Sequence, residues 1–373
     1  MSWNTGSATP YTSNSAPPTS GYEAVRLPKP SRLPKRWRSS VALNALKEGI
    51  RVWDRDIARY LTSDYIPLYN PVEEYLNGTG RWDGKDRIRA LADLVPCENP
   101  HWRELFYRWF LSMVAHWRGF DKQHGNSTSP LLVGAQGYRK STFCRILLPP
   151  ELRFGYTDSI DFKSKQDAER SLGRFFLINI DEFDQISVSQ QGFLKHLLQK
   201  PVANLRKPYG TAIQEIRRYA SFIGTSNQKD LLTDPSGSRR FICIEVTGPI
   251  RTNVSINYRQ LYAQAMNAIS KGERYWLDDS DEAILKQTNR EFEQPTPMEQ
   301  LFLCHFRAAA EEEEGVWMTP MEIISSLQKK TKDRLSINKV AHFGRALRKL
   351  GISSRRRNRG TEYHVIINET TFQ

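Results

Sequence analysis

The stretch SPLLVGAQGYRKST, residues 129–142, decides the fold that this chain can adopt. A short apolar run leads into a turn that begins at Gly134, and the turn ends at Lys140. This is the layout of a β-strand, a phosphate-binding loop and the first turn of a helix. Backbone N–H groups of such a loop point at phosphates, and the N-terminus of the helix adds positive potential. The stretch therefore favours a nucleotide site.

The residues of this loop predict contacts to Mg²⁺ and ATP. Lys140 would reach the β- and γ-phosphates, and Ser141 would ligate Mg²⁺. In the full pattern, G-x-x-x-x-G-K-[ST], a second glycine stands where this chain has Arg139, and Gly137 lies two residues earlier. A surface turn ahead of a basic helix is the alternative interpretation. The predicted nucleotide-binding residues are Gly134, Ala135, Gln136, Gly137, Tyr138, Arg139, Lys140, Ser141 and Thr142.

A second apolar run, FFLINIDEFD at residues 175–184, is typical of a buried parallel strand. At its end, Asp181 can hold Mg²⁺ directly or through water, and Glu182 can orient and deprotonate the attacking water. The alternative is a buried strand followed by the solvated acidic start of a helix. The run therefore predicts a metal-binding carboxylate and a general base only if the phosphate loop is present as well.

Two further motifs follow in order. The run SFIGTSN ends at Asn227, whose amide can bind the lytic water or the γ-phosphate, although an Asx-turn would also explain it. In PSGSRRF, Arg239 or Arg240 could stabilise charge on the transferring phosphoryl group, although a basic turn at a hairpin end is the alternative. The order of loop, acidic strand, Asn strand and arginine pair predicts an ATPase of the additional-strand type.

The same segments carry a family resemblance. GAQGYRKSTF, the IDE strand, LRKPYG (205–210), IGTSN and GSRRF look like the signature series of the virulence-associated E family. These proteins resemble superfamily 3 helicases and the primase-helicases of phages and mobile elements. The lead-in YNPVEEYLNGTGRWDGKDR, residues 69–87, is similar as well, so the resemblance covers about residues 65–294.

The resemblance implies an AAA+-like ATPase, assembly into a homo-oligomeric, hexameric ring, and a role in replicating mobile DNA. Carried over by position, it implies that catalysis and metal binding belong to Lys140, Ser141, Asp181, Glu182, Asn227 and an arginine finger from Arg239 or Arg240. Related ring helicases place a DNA-contacting hairpin where this chain has Arg206, Lys207 and Tyr209. A basic surface turn is the alternative for that segment.

Composition divides the chain into four regions. Residues 1–34, rich in Ser, Thr and Pro, predict a disordered tail. Residues 35–125 are helical and rich in tryptophan, residues 126–294 form the ATPase domain with a helical extension, and residues 295–373 form a separate module. The predicted fold is α/β: a P-loop NTPase core of the AAA+/superfamily 3 type with a helical N-terminal region and a winged-helix-like C-terminal module.

The C-terminal module shows the order helix, helix and basic hairpin, which is that of a winged helix. Thr319 and Glu322 form a capping box that opens the first helix. The second helix would enter a major groove while arginines of the hairpin meet phosphates. These arginines are Arg355, Arg356, Arg357 and Arg359. A solvated basic hairpin on a small packing domain is the alternative.

Overall composition fits a nucleic-acid-binding protein of the cytoplasm. The net charge of +13 and the isoelectric point near 9.5 favour an anionic polymer as partner. The four cysteines show no C-x-x-C spacing, as expected of reduced thiols. No apolar run approaches the roughly 18 residues of a membrane span, and the first residues lack the apolar core of a secretion signal.

These patterns together predict an ATP-dependent, ring-forming DNA helicase or translocase that acts on single-stranded DNA and contacts duplex DNA through the C-terminal module. Two alternatives stay open: an ATP-switched replication initiator or assembly factor without unwinding activity, and a non-catalytic DNA-binding regulator. A carboxylate cluster for primase chemistry is absent upstream of Tyr65, so a primase or initiator would be a separate partner polypeptide.

Overall fold

The computed structural model describes residues 35–63, 65, 69–120, 124–206, 213–232, 239–295, 297–310, 312–331 and 340–368. The chain divides into two compact units, Met1–Gly78 and Thr79–Gln373. The predicted tail, residues 1–34, lies outside the described residues. In its described part the first unit contains the helices α1 (Lys35–Lys47), α2 (Asp54–Thr62) and α3 (Pro71–Asn77).

The second unit begins with two helices and then alternates strands and helices. Its elements up to residue 245 are α4 (Arg87–Ala92), α5 (Trp102–Arg118), β1 (Ser129–Val133), α6 (Lys140–Ile146), β2 (Tyr156–Thr157), α7 (Lys165–Arg174), β3 (Leu177–Ile180), α8 (Val188–Gln199), β4 (Val202–Arg206), β5 (Ile213–Arg217), β6 (Ser221–Ser226) and β7 (Phe241–Glu245). Short 3₁₀ helices lie at Pro150–Gly155 and Phe183–Gln185.

The remaining elements are mostly helical until the C-terminal hairpin. They are α9 (Tyr258–Ser270), α10 (Asp279–Thr288), a 3₁₀ turn (Asn289–Phe292), α11 (Pro297–His305), β8 (Phe306–Ala308), β9 (Val316–Met318), α12 (Pro320–Thr331), α13 (Val340–Lys349), β10 (Ser354–Arg357) and β11 (Gly360–Ile367).

Five strands form a parallel sheet in the order β2-β3-β6-β1-β7, so the chain is a mixed α/β protein, as the sequence predicts. In β1, β3 and β6 every residue is buried. Strands buried on both faces read as continuous apolar runs, which is how SPLLV and LINI appear in the sequence. Because neighbouring strands pair in parallel, all their carboxyl ends lie along one edge of the sheet.

Helix α5 contributes its aromatic face to the core. Leu105, Trp109, Met113 and Trp117 are each exposed by 2% or less, so this face of the helix is packed inside the protein. The indole of Trp117 stacks on Tyr262 of α9, with ring centroids 5.8 Å apart. Its Nε1–H donates to the carbonyl that follows β5, at Tyr219 (3.1 Å). The tryptophans of this region thus hold helices against the sheet.

Between β3 and β6 the chain forms an antiparallel hairpin of β4 and β5, in register with Arg206 opposite Ile213. Two arginines fix its base. Arg217 donates from Nη2 to the carbonyl oxygen of His116 at 2.6 Å. Arg218 is 1% exposed and donates to four carbonyl oxygens, those of Leu197, Leu198, Ala220 and Asn126.

The C-terminal part has its own core and a four-stranded antiparallel sheet, in which β11 pairs with β10, β8 and β9. The predicted order of helix, helix and hairpin is present as α12, α13 and β10–β11. The predicted capping box is confirmed: the Thr319 N–H donates to Glu322 Oε2 (2.7 Å), and the Glu322 N–H donates to Thr319 Oγ1 (3.3 Å). Apolar residues of α11–α13, such as Phe302, Ile323 and Leu347, close this core.

His116 predicts a pH dependence of stability. Burial, assisted by the charges of Arg218 and Arg217, lowers the pKa of His116 well below its ordinary 6.5. Below pH 6.5 the unfolded chain therefore binds a proton at His116 that the folded chain does not. The free energy of unfolding then falls with falling pH, by about 1.4 kcal/mol per pH unit for this one proton. His116→Phe should lack this component when urea unfolding is compared at pH 7.5 and 5.5. Identical pH dependence in the two proteins would contradict the assignment.

Candidate functional site

Three of the predicted site residues stand where neighbouring strands end. Lys140 begins α6 after the loop that follows β1, Asp181 follows β3, and Asn227 follows β6. Since β6 pairs with β1 on one side and β3 on the other, these ends are adjacent along the carboxyl edge. Ligands of open parallel sheets bind at this edge.

The loop between β1 and α6 is shaped by close backbone contacts. The Gly134 N–H donates to the carbonyl oxygen of Ser226 at 3.1 Å. A methyl group at Gly134 would lie 2.7 Å from the carbonyl oxygen of Val246, so a larger residue does not fit. Gly137 has φ of +85°, and Arg139 has φ of 59° and ψ of 28°. Arg139 thus adopts the left-handed conformation that the glycine of the full pattern would adopt without strain.

Lys140 is drawn into this loop. Its Nζ donates to the carbonyl oxygens of Gly134 (2.6 Å) and Ala135 (2.9 Å) and to Oδ1 of Asn227 (3.0 Å). The residue is 6% exposed. Burial lowers the pKa of Lys140, and the nearby negative charges of Asp181 and Asp184 oppose that shift. The ammonium group therefore lies among acceptors that phosphate oxygens can replace.

Two carboxylates are held by hydroxyl groups from neighbouring segments. Asp181 Oδ1 accepts from Ser141 Oγ at 2.9 Å and from the Thr225 hydroxyl. Asp184 Oδ1 accepts from Ser226 Oγ at 2.6 Å. Burial would raise the pKa of Asp184, but hydrogen bonds from Ser226 and from backbone N–H groups lower it below its usual value. These hydrogen bonds therefore fix the orientation of both carboxyl groups.

A magnesium ion fits this donor set. Mg²⁺ in proteins takes one or two carboxylates and keeps water and substrate phosphate oxygens as further ligands. The structure brings the predicted ligands Ser141 and Asp181 into contact at the mouth of the loop. Within the described ranges, no group of three or more His, Cys, Asp or Glu side chains forms an all-protein metal site.

Glu182 is exposed beside Asp181 and has φ of 51° and ψ of 53°. In the part of the chain that the structure describes, Arg139 and Glu182 are the non-glycine residues with positive φ. Both lie at the same edge of the sheet. Strained backbone concentrates at functional sites, where surrounding structure holds it in place. The two outliers therefore mark this edge independently of the sequence motif.

The predicted arginines are not brought to this edge. Arg239 and Arg240 precede Phe241, which pairs with Ser129 at the amino end of β1. A strand rises about 3.3 Å per residue, so the five residues of β1 separate the arginines from the loop by roughly 15 Å. Arg239 Nη1 donates to Glu282 Oε2 at 2.9 Å.

The predicted nucleic-acid contacts are distributed over two hairpins. Arg206 ends β4, whereas Lys207 and Tyr209 lie outside the described residues. In the C-terminal hairpin, Arg355 is engaged within the module: its Nε donates to Glu362 Oε2 at 2.8 Å and its guanidinium lies 4.1 Å from the ring centroid of Trp317. The other three predicted arginines of this hairpin are exposed: Arg356, Arg357 and Arg359.

The residues that hold the site together have no distinct signal in the sequence. Thr225 and Ser226 were visible only as part of a polar TSN cluster, and Asp184 only as the end of an apolar run. Their roles depend on which strands are neighbours, and no local pattern encodes that order. Glu282, the partner of Arg239, gave no signal beyond its place in an acidic helix start.

Arg139 predicts a measurable strain. Left-handed backbone costs residues with a Cβ about 1–2 kcal/mol, whereas glycine adopts it freely. Arg139→Gly should therefore be more stable than Arg139→Ala by about 1 kcal/mol in urea unfolding. At Arg145, an exposed residue in the last turn of α6, the same pair of substitutions should give the opposite order, because alanine favours helices. A less stable Arg139→Gly would contradict the assigned conformation.

Family comparisons cover nearly all of the second unit. Residues 76–294 match the model of the virulence-associated protein E-like domain. Residues 295–365 match DUF3874, described as a domain of unknown function from B. theta. No curated protein matches the chain. In the described part of the chain, no helix combines the length and apolar composition needed to cross a bilayer.

Among solved structures, the chain is similar to the apo structure of the NrS-1 C-terminal region (305–718), at 10% identity and a TM-score of 0.40, covering 79% of this chain and 78% of that chain. The A form apo structure of the same region matches at 12% identity and a TM-score of 0.41, covering 78% of this chain and 77% of that chain.

Proposed function

Because the chain belongs to the virulence-associated protein E-like family, we propose that it is an ATP-dependent, ring-forming DNA helicase or translocase that serves replication of a phage or other mobile genetic element. One observation carries the proposal. Lys140, Asp181 and Asn227 meet at the carboxyl edge of a parallel sheet whose strand order puts β6 between β3 and β1. This is the arrangement expected of an additional-strand ATPase with an AAA+-like P-loop core.

The residues of this edge have complementary roles in the proposed reaction. Lys140 exchanges its loop carbonyl acceptors for β- and γ-phosphate oxygens of ATP, and Asn227 is then released to orient the attacking water. Ser141 and Asp181 hold Mg²⁺, which supplies neutralisation of the phosphate charge. The backbone N–H groups from Gly134 to Thr142 cradle the phosphates.

Glu182 is the proposed general base. Its exposed carboxylate lies one residue from the metal-binding Asp181, at the open side of the edge. A base must reach a water molecule that is itself close to the γ-phosphate, and this position allows it. The left-handed backbone at Glu182 fixes the direction in which the side chain leaves the chain.

A second subunit completes the site in this proposal. Arg239 and Arg240 lie at the amino edge of the sheet, on the far side from Lys140 in the same chain. An arginine there can reach the γ-phosphate bound by a neighbouring copy, as ring ATPases require. The distance between the two edges thus supports a closed homo-oligomer, which we take to be a hexamer.

DNA is the proposed polymer partner. The β4–β5 hairpin follows α8 in the chain, the place at which the family resemblance implies a hairpin that contacts single-stranded DNA, and the C-terminal module has the element order of a winged helix. Helix α13 exposes Arg345 and Arg348, and the following hairpin exposes the arginines Arg356, Arg357 and Arg359. Exposed guanidinium groups in this arrangement suit duplex phosphates.

ATPase measurements test the site directly. Glu182→Gln should lower turnover by about 10²- to 10⁴-fold, because it removes the general base, and should retain ATP binding. Lys140→Ala should lose both binding and turnover. Glu151→Gln, just before β2, and Arg174→Ala, just before β3, change exposed residues at the amino edge of the sheet and serve as controls. Unchanged turnover in either site variant would reject the assignment.

The same assay separates the three candidate functions. A motor requires turnover that single-stranded DNA stimulates. Slow turnover that DNA leaves unchanged would instead favour the ATP-switched assembly factor. If the protein shows no turnover at all, the DNA-binding regulator is favoured.

Duplex binding by the C-terminal hairpin has a salt signature. Each phosphate contact adds about 0.9 to the slope of log affinity against log salt. Replacing Arg356, Arg357 and Arg359 by alanine should lower that slope by about 2 to 3 and weaken binding of different sequences equally. Fluorescence anisotropy at salt concentrations from about 50 to about 200 mM measures this slope. Arg174→Ala, an exposed arginine of α7, is the control; an unchanged slope in the triple variant would exclude this hairpin.

A further inference from the structure

Arg239 is held by a carboxylate of its own chain. Its Nη1 donates to Glu282 Oε2 at 2.9 Å, and Glu282 lies in the first turn of α10. The two side chains are 43% and 29% exposed. The pair therefore lies at the surface, where an approaching molecule can compete for either partner.

The other acidic side chains of this turn are placed differently. Asp281 is 5% exposed and is bound by Arg108 and Arg274, so it belongs to the interior. Asp279 is exposed, and its carboxylate makes no ion pair with any described residue. Among these three acids, Glu282 is therefore the one that holds Arg239.

Arg239 also has room to move. It lines a cavity of about 290 Å³ whose wall includes Arg240, Glu282 and a stacked pair formed by His124 and Trp276. The rings of that pair lie 3.9 Å apart, with planes 9° from parallel. The open space beside this aromatic wall allows the guanidinium to leave Glu282 without displacing core residues.

We propose that Glu282 is a positioning residue that competes for Arg239 with the γ-phosphate bound by a second copy of this chain. The inference rests on the proposed function. A guanidinium group binds carboxylate and phosphate through the same forked N–H donors, so the two are alternative partners. Arg239 stays neutralised by Glu282 until the neighbouring copy presents a triphosphate. Arg239, not Arg240, is then the arginine that crosses the subunit boundary.

The test is the ATP concentration for half-maximal turnover in the assembled protein. Glu282→Gln removes the competing charge, so this concentration should fall by about 3-fold at low salt, the size expected for an exposed ion pair. The difference should shrink at about 0.5 M salt, because dissolved ions then screen exposed charges within a few ångströms. Asp279→Asn removes the same charge from the same turn and should change nothing. Thermal unfolding of both variants should match the wild type.

The outcomes distinguish an error in the roles of Arg239 and Glu282 from an error in the proposed function. Arg239→Ala should lower turnover by about 10³-fold or more; a loss of that size in Arg240→Ala with an active Arg239→Ala would overturn the assignment. If Glu282→Gln and Asp279→Asn have the same ATP concentration for half-maximal turnover, Glu282 does not compete for Arg239. That result would leave the proposed ATPase function standing. Absence of any ATP turnover in the wild type would overturn the proposed function and, with it, this inference.

Discussion

The position of β6 between β1 and β3 is the constraint on which the candidate site depends. Parallel pairing on both sides brings Ser226 level with Val133 and Gly224 level with Ile180, so the three strand ends are adjacent. Gly224 lets the strands pack closely: a methyl group there would lie 2.8 Å from a Leu131 side-chain carbon, so a larger residue would require that side chain to shift. The hydrogen bond between Lys140 and Asn227 joins the segments that follow the neighbouring strands β1 and β6, and the bond between Ser141 and Asp181 joins the segments that follow β1 and β3, on either side of β6. A different strand order would separate these partners.

Two residues with left-handed backbone show that this edge carries a cost in conformational free energy. Arg139 and Glu182 hold left-handed conformations, each unfavourable by about 1–3 kcal/mol. Local hydrogen bonds fix both: Phe143 N–H donates to the Arg139 carbonyl oxygen (3.0 Å), and Gln185 N–H donates to that of Glu182 (2.8 Å). Strain of this kind persists only where surrounding contacts enforce it. Among the described residues it occurs in the segments that follow β1 and β3.

The local sequence pattern was sufficient to predict the strands of the sheet but not the order in which they are arranged. The apolar runs around residues 129–133, 177–180 and 221–226 are strands because continuous burial demands such composition. Strand order, by contrast, is a long-range property, and it decides that Thr225 and Ser226 orient carboxylates. Arg355 illustrates a second limit: in the sequence it is one of four hairpin arginines, but packing against Trp317 and Glu362 engages it within the module. Side chains whose partners lie far away in the chain cannot be assigned from spacing.

The base of the β4–β5 hairpin is tied to the elements of the candidate site by one buried guanidinium. Arg218 donates to carbonyl oxygens at the C-terminal end of α8 and to Asn126, which precedes β1. Separating it from these acceptors would leave buried carbonyls unpaired, at about 1–3 kcal/mol each. Helix α8 begins four residues after Asp184, whose carboxylate is held by Ser226 at the sheet edge. The hairpin base therefore cannot shift without α8, and α8 leads back to the edge where Lys140 and Asp181 lie.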